Sequence, residues 1–210
     1  MLHGSRVTYK VQSGKYFAPR ALDAAVMAYL PGDFGGPAIA QVLSGAHNPS
    51  GKLPFTWPRD ASSHVTYDRK HTENVHSDFS LSAFNPLYTF GSGLSYSNVE
   101  TTSIELIGDS IVNMGDEVNV KVTLVNSGER SSTETVILYS QDRVASITPA
   151  VDELKAFKQV VVPAGATIEV EIGVSSNELG FIGMDNTYIV EPGVFGLRVK
   201  EQVVEFNLAQ

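Results

Sequence analysis

The chain has 210 residues, 42% of them hydrophobic and 18% charged, with a formal net charge of −8. Those proportions are those of an ordinary globular protein, no stretch approaches the roughly 20 apolar residues that span a bilayer, and the acidic balance disfavours nucleic acid as a partner. Cysteine is absent, which excludes disulfides and thiolate metal sites.

The charge is unevenly spread. Before Val99 there are eight Lys/Arg against six Asp/Glu, and from Val99 onward seven against seventeen. The break suggests two units. Met1 to Lys10 lacks the apolar core of a signal peptide.

Residues 1–17 carry no assignable pattern. Leu22 to Leu30 (LDAAVMAYL) is a short apolar run that predicts one buried strand. Pro31 to Gly36 predicts a loop. Pro37 to Leu43 (PAIAQVL) predicts a helix, with proline at the first position and Ile39, Val42 and Leu43 at helical spacing. Ser44 to Pro58 is rich in turn residues. Ala61 to Asn85 is polar and carries His64, His71 and His76. Phe90 to Ser97 (FGSGLSYS) predicts a connection between the two units. One strand and one helix do not make a stable sheet domain. The strand therefore has unpaired edges and the helix an uncovered apolar face, and both invite a second copy of the chain as a homodimer.

The acidic half predicts strands. Thr102 to Ile107 is the first. Val118, Val120, Val122 and Leu124 alternate with polar residues, the period of a strand with one buried face. Asn126 to Glu129 turns the chain. Thr135 to Ser140 is a more continuous apolar run, as in a central strand, and the stretch around Leu154 to Val162 predicts a further strand. After the turn Pro163-Ala164-Gly165, Ile168, Val170, Ile172 and Val174 alternate again. Glu191-Pro192-Gly193 opens a strand with Phe195, Leu197 and Val199 on one face, and Val204, Phe206 and Leu208 close the series. Seven or eight strands at this spacing predict a Greek-key β-sandwich of immunoglobulin type. The fold class is mainly β, a sandwich preceded by a partial α/β segment.

Several motifs resemble one family. GGPAIAQVLSGAHNPSGKLPFTWPR, Gly35 to Arg59, closely resembles a signature of family 3 glycoside hydrolases, the β-glucosidase and β-xylosidase group. PGDFGG resembles the loop that opens the last helix of that family's α/β domain, and YDRKHTE, Tyr67 to Glu73, resembles a segment of one bacterial branch. FNPLYTFGSGLSYS resembles the passage into the family's fibronectin type III-like domain. TLVNSGERSSTETVILYSQD, VDELKAFKQVVVPAGATIEVEI and EPGVFGLRV resemble that domain itself. The resemblance runs from about Ala18 to Leu208. It implies three parts: 1–17 unassigned, 18–97 the remnant of the C-terminal α/β domain with its linker, and 98–210 the sandwich. It also implies hydrolysis of terminal β-glycosidic bonds without a cofactor, in a secreted or periplasmic setting. The family's Asp nucleophile lies in a barrel, and its acid/base Glu lies upstream of the Gly-Gly loop. Neither position has a counterpart in this sequence.

The residues leave three readings open. The first is a supporting module, whose partner is a carbohydrate or the absent catalytic domain. The second is a hydrolase of another class, an esterase built on Ser and His. The third is a carbohydrate-binding module. Paired carboxylates about 5 Å apart would serve glycoside hydrolysis, and Asp68, Glu73 and Asp78 are nearest to such a cluster in sequence. His71 with Ser50 or Ser92 is the corresponding set for nucleophilic chemistry, with Ser44 and Ser110 as further serines. No metal site is expected, because His64, His71 and His76 lack the spacing of a standard zinc site. Gly35-Gly36 is read as close packing at a tight turn. Trp57, Phe55, Tyr67, Phe84, Tyr88, Phe90 and Tyr96 are read as sealing an interdomain joint.

Overall fold

The computed structural model describes residues 24–59, 66–71, 84 and 86–210. Among them are one α-helix, α1 (Gly35–Leu43), a short 3-10 helix (Ser176–Glu178) and ten strands. The strands are β1 (Val99–Ile107), β2 (Ile111–Asn113), β3 (Glu117–Asn126), β4 (Ser132–Asp142), β5 (Glu153–Val162), β6 (Thr167–Ser175), β7 (Phe181–Ile182), β8 (Tyr188–Ile189), β9 (Gly193–Val199) and β10 (Gln202–Ala209). The mainly-β expectation holds.

Two sheets face each other. One has the order β1-β3-β6 and the other β2-β10-β9-β4-β5, while β7 and β8 form a separate small ribbon. The two alternating runs seen in the sequence are direct neighbours. Val118 lies opposite Val174, Val120 opposite Ile172 and Val122 opposite Val170, so their apolar faces coincide. From the other sheet Val136, Leu138, Phe195, Leu197, Phe206 and Leu208 meet them in one core. The Phe195 and Phe206 rings stack with centroids 5.8 Å apart. With no cysteine available, this packing holds the sheets together.

A polar clamp fixes one end of the sandwich. Asn126 is fully buried. Its Nδ2 donates to the carbonyls of Arg130 (2.8 Å), Val162 and Pro163 (both 3.1 Å). Its Oδ1 accepts from the Gly128 amide at 3.0 Å. One side chain thus satisfies the β3–β4 turn and joins it to the β5–β6 turn.

The N-terminal segment departs from expectation. The strand expected over Leu22–Leu30 does not form: Ala24 to Leu30 have no regular structure, and Leu22 and Asp23 lie outside the described residues. A strand exists only through hydrogen bonds to a neighbour, and Tyr29 at φ 52° interrupts any extended run. The helix begins at Gly35 rather than Pro37, which leaves the proline in the first turn, where its missing N–H is harmless. Gly35 itself is close-packed, since a Cβ there would sit 2.5 Å from Pro31 Cβ. The apolar face of α1 is only partly uncovered: Leu43 is 69% exposed, whereas Ile39 and Val42 are half-buried, and Phe34, the residue before the helix, is 83% exposed.

Candidate functional site: the joint over the sandwich

The segment after α1 is bound to the sandwich by specific contacts. Residues 53–57 run alongside 87–92. Leu53 and Gly91 exchange with Ser92 and Leu53 carbonyls at 2.8 Å, and Trp57 donates to the Tyr88 carbonyl at 2.8 Å. Gly93 lies against the backbone so closely that a Cβ would come within 2.3 Å of the Gly51 carbonyl. Asn48 accepts from the Tyr96 amide at 2.7 Å and donates to Ser97 Oγ and the Ser131 carbonyl at 2.9 Å.

The end of α1 is held by the same joint. The Tyr96 hydroxyl donates to the Val42 carbonyl at 2.7 Å. The Arg130 guanidinium, from the β3–β4 loop, donates to the Gly45 carbonyl. The Val42 carbonyl also accepts the Gly45 amide at 3.0 Å, so Tyr96 adds a second donor in the last helical turn, and Arg130 takes the Gly45 carbonyl just beyond it.

At the centre is a buried ion cluster. Glu134, 4% exposed, occupies the same face of β4 as the core residues Val136 and Leu138. Lys52 reaches in from the joint, with Nζ 3.1 Å from Glu134 Oε1. Lys200, from the β9–β10 turn, stands 3.4 Å from the same oxygen. Lys52 also donates to Glu134 Oε2 at 3.4 Å and to the Gly93 carbonyl at 3.2 Å. Oε1 is thus neutralised, yet neither ammonium is angled to give it a hydrogen bond.

The outer face of the five-stranded sheet carries a second polar and aromatic group. Asp152 Oδ1 accepts from Arg198 Nε at 2.7 Å and from Gln141 Nε2 at 2.8 Å. The Arg198 guanidinium lies 4.6 Å from the Tyr139 ring centre. Tyr67 packs on Phe90 (4.8 Å) and Tyr139 (6.3 Å). The loop holding Tyr67 is anchored where the Val151 amide donates to the Arg69 carbonyl at 2.8 Å. Trp57 is buried, with its ring 5.6 Å from that of Phe55. These rings contact one another, as residues sealing a joint do.

Burial pushes the Tyr139 hydroxyl up to about 12, and nearby Asp152 adds to the effect against the opposing pull of Arg198. Its folded value lies above the ordinary 10.0 of the unfolded chain. The stability this gives is complete below pH 10 and is lost as the pH rises towards 12, because there the unfolded chain releases the proton first. We expect one tyrosine to titrate near 12 in the folded protein, and Tyr139→Phe to abolish that step. A tyrosinate absorbance titration of both proteins checks this.

Sequence-derived site residues are scattered. Asp68 and His71 are exposed, and Ser50 and Ser92 are half-buried. Ser92 Oγ lies 2.9 Å from Thr89 Oγ1. Glu73, His64, His76 and Asp78 lie outside the described residues. Ser110 is exposed and sits between β1 and β2, where its carbonyl accepts from the Asn207 amide at 2.8 Å. Among the described residues, no group of three or more His, Asp or Glu could hold a metal ion. Burial, with Glu191 and Glu153 nearby, raises the Asp142 carboxyl above its ordinary range. The space beside it is only about 20 Å³. Sequence reasoning singled out neither Lys52 nor Glu134. The available signal was an acidic residue in the apolar register of β4.

A cleft of about 450 Å³ opens at the joint, lined among others by Lys52, Thr56, Phe90, Thr101, Glu134 and Tyr139.

The comparisons agree with this architecture. Residues 3–96 match the Glycosyl hydrolase family 3 C-terminal domain, and residues 134–203 match the Fibronectin type III-like domain. The chain belongs to glycoside hydrolase family 3. The match to the first domain begins ahead of Ala18, where the motifs become readable. Among relatives of this family 3 chain is a lysosomal beta glucosidase of Dictyostelium discoideum, 33% identical over 189 residues, covering 85% of this chain and 22% of the relative. A beta-xylosidase of Formosa agariphila is 33% identical over 167 residues, covering 78% of this chain and 23% of the relative. The crystal structure of a beta-glucosidase from Listeria innocua in complex with isofagomine superposes with a TM-score of 0.77 at 30% identity, covering 88% of this chain and 28% of that one. The chain spans about a quarter of the length of these relatives. It carries the C-terminal and fibronectin type III-like modules of β-glucosidase-like enzymes.

Proposed function

We propose that this chain is the supporting part of a β-glycoside hydrolase and does not itself hydrolyse glycosides. The observation that carries the reading is the mounting of α1. The Val42 carbonyl in its last turn and the Gly45 carbonyl just beyond it are held by Tyr96 and Arg130, while Phe34 and Leu43 stand in solvent. A helix fixed at one end, with large apolar side chains exposed at both of its ends, is a mount for further protein. The sandwich supplies the rigidity, through a core to which the joint is bound by Lys52 and Glu134. The described carboxylates also favour this reading. Glu134 and Asp152 are committed to lysine and arginine partners, and Asp68 stands exposed in a loop. The bond cleavage itself then belongs to carboxylates outside these residues.

The purified chain should release no nitrophenol from nitrophenyl β-glucoside or β-xyloside above the uncatalysed rate. Turnover that co-purifies with the folded chain and falls when Asp68 is changed to Asn would overturn the proposal.

A further inference from the structure

The β3–β4 turn, residues 127–131, is gripped from three sides. From the core, Asn126 Nδ2 holds the Arg130 carbonyl together with those of Val162 and Pro163, and Oδ1 holds the Gly128 amide. From the linker, Ser97 Oγ donates to the Arg130 carbonyl at 2.8 Å, and the Asn98 carbonyl accepts the Ser127 amide at 3.0 Å. From the joint, Asn48 Nδ2 donates to the Ser131 carbonyl. The Arg130 guanidinium donates to the Gly45 carbonyl just past α1 and lies 5.8 Å from the ring centre of Tyr96, whose hydroxyl holds the Val42 carbonyl. Arg130 therefore works in two directions. Its carbonyl belongs to the clamp in the sandwich, and its guanidinium belongs to the helix.

We propose that Asn126 is a positioning residue for α1, acting through Arg130. The buried amide fixes the β3–β4 turn, and the turn fixes the end of the helix. A turn of five residues has few contacts of its own, and a long arginine side chain on it is free to move unless the backbone beneath is held. Asn126 removes that freedom. It is 0% exposed, so displacing the turn breaks the bonds of a side chain that is closed to water. The helix depends on this grip because Phe34 and Leu43, at its two ends, are exposed and add little packing. Such coupling goes beyond the supporting role and is independent of it, since it needs no partner on α1.

Amide hydrogen exchange of the full chain, followed by NMR, reads the coupling. Ser44, Gly45 and His47 donate to the Ala40, Val42 and Gln41 carbonyls and report on the end of α1. These amides exchange by local opening, whereas those in the centre of β3 exchange with global unfolding. A role confined to stability would speed the β3 amides and leave the three reporters at the parent rate. Asn126→Asp keeps the side-chain shape and removes the Nδ2 donor. It should speed the reporters about tenfold, the loss of one hydrogen bond. With Arg130→Met in place the reporters are already fast, and Asn126→Asp should add nothing further. Where Asn126→Asp does not fold, Arg130→Met alone decides. Coupling is reciprocal, so this variant should speed exchange of the Asn126 side-chain amide protons by more than it speeds the β3 amides. Reporters at the parent rate in folded Asn126→Asp, or the same acceleration with and without Arg130, would overturn the proposal. So would Asn126 side-chain protons that follow the β3 amides in Arg130→Met.

Discussion

Glu134→Ala is expected to lower the unfolding free energy by about 3–5 kcal/mol, the range for breaking a buried ion pair from one side. The side chains of Lys52 and Glu134 are only 15% and 5% exposed. Without the carboxylate, Lys52 keeps only the Gly93 carbonyl as a hydrogen-bond partner among the contacts described above, inside a site built to hold a charge. Lys200, at 42% exposed, can turn to water and contributes less to the loss. The double variant Lys52→Met with Glu134→Leu removes both charges and replaces them with apolar bulk. It should be markedly more stable than the sum of the single changes predicts. Urea unfolding of the parent, Lys52→Met, Glu134→Leu and the double variant gives the coupling. A Glu134→Ala loss below about 1 kcal/mol would place this pair among ordinary surface ion pairs.

Phe195→Ala should cost about 3–5 kcal/mol, through lost burial and the cavity left behind. Phe195 is 1% exposed and stacks on Phe206, its direct neighbour across β9 and β10. The change opens the middle of the five-stranded sheet, where β9 lies between β10 and β4 and cannot shift to fill the gap. Phe157→Ala is the matched control. That ring lies on the edge strand β5 and is 70% exposed, so its loss should stay within about 0.5 kcal/mol. Comparable losses for the two would mean that the core as described does not carry the stability.

The sandwich was legible because one-sided burial writes a period of two into the sequence. Val118 to Leu124 and Ile168 to Val174 announced their faces, and the register between them followed from matching apolar residues. The short strands were not legible. β2, β7 and β8 have three residues or fewer, too few to show a period. Ala24 to Leu30 misled for the opposite reason. Composition can make a run apolar, but only a neighbouring strand makes it β, and among the described residues no strand pairs with this run. The joint was partly legible. Its aromatic residues were recognised as sealing, whereas the Lys52–Glu134 pair links positions 82 residues apart and leaves no local pattern. Glu134 looks like any polar residue in a strand until its place beside Val136 and Leu138 is noticed.

The joint also has an order in time. Lys52 leaves the ribosome long before its partners: Glu134 follows 82 residues later. At roughly 5–20 residues per second, that separation lasts about 4–16 s. Lys200, in the β9–β10 turn, emerges later still, after Glu134. Through that interval the segment from α1 to Ser97 has no sandwich to rest on. Vectorial synthesis thus presents the mounting helix before its foundation. A nascent chain stalled before β9 should expose residues 48–59 to protease, and one released after β10 should protect them.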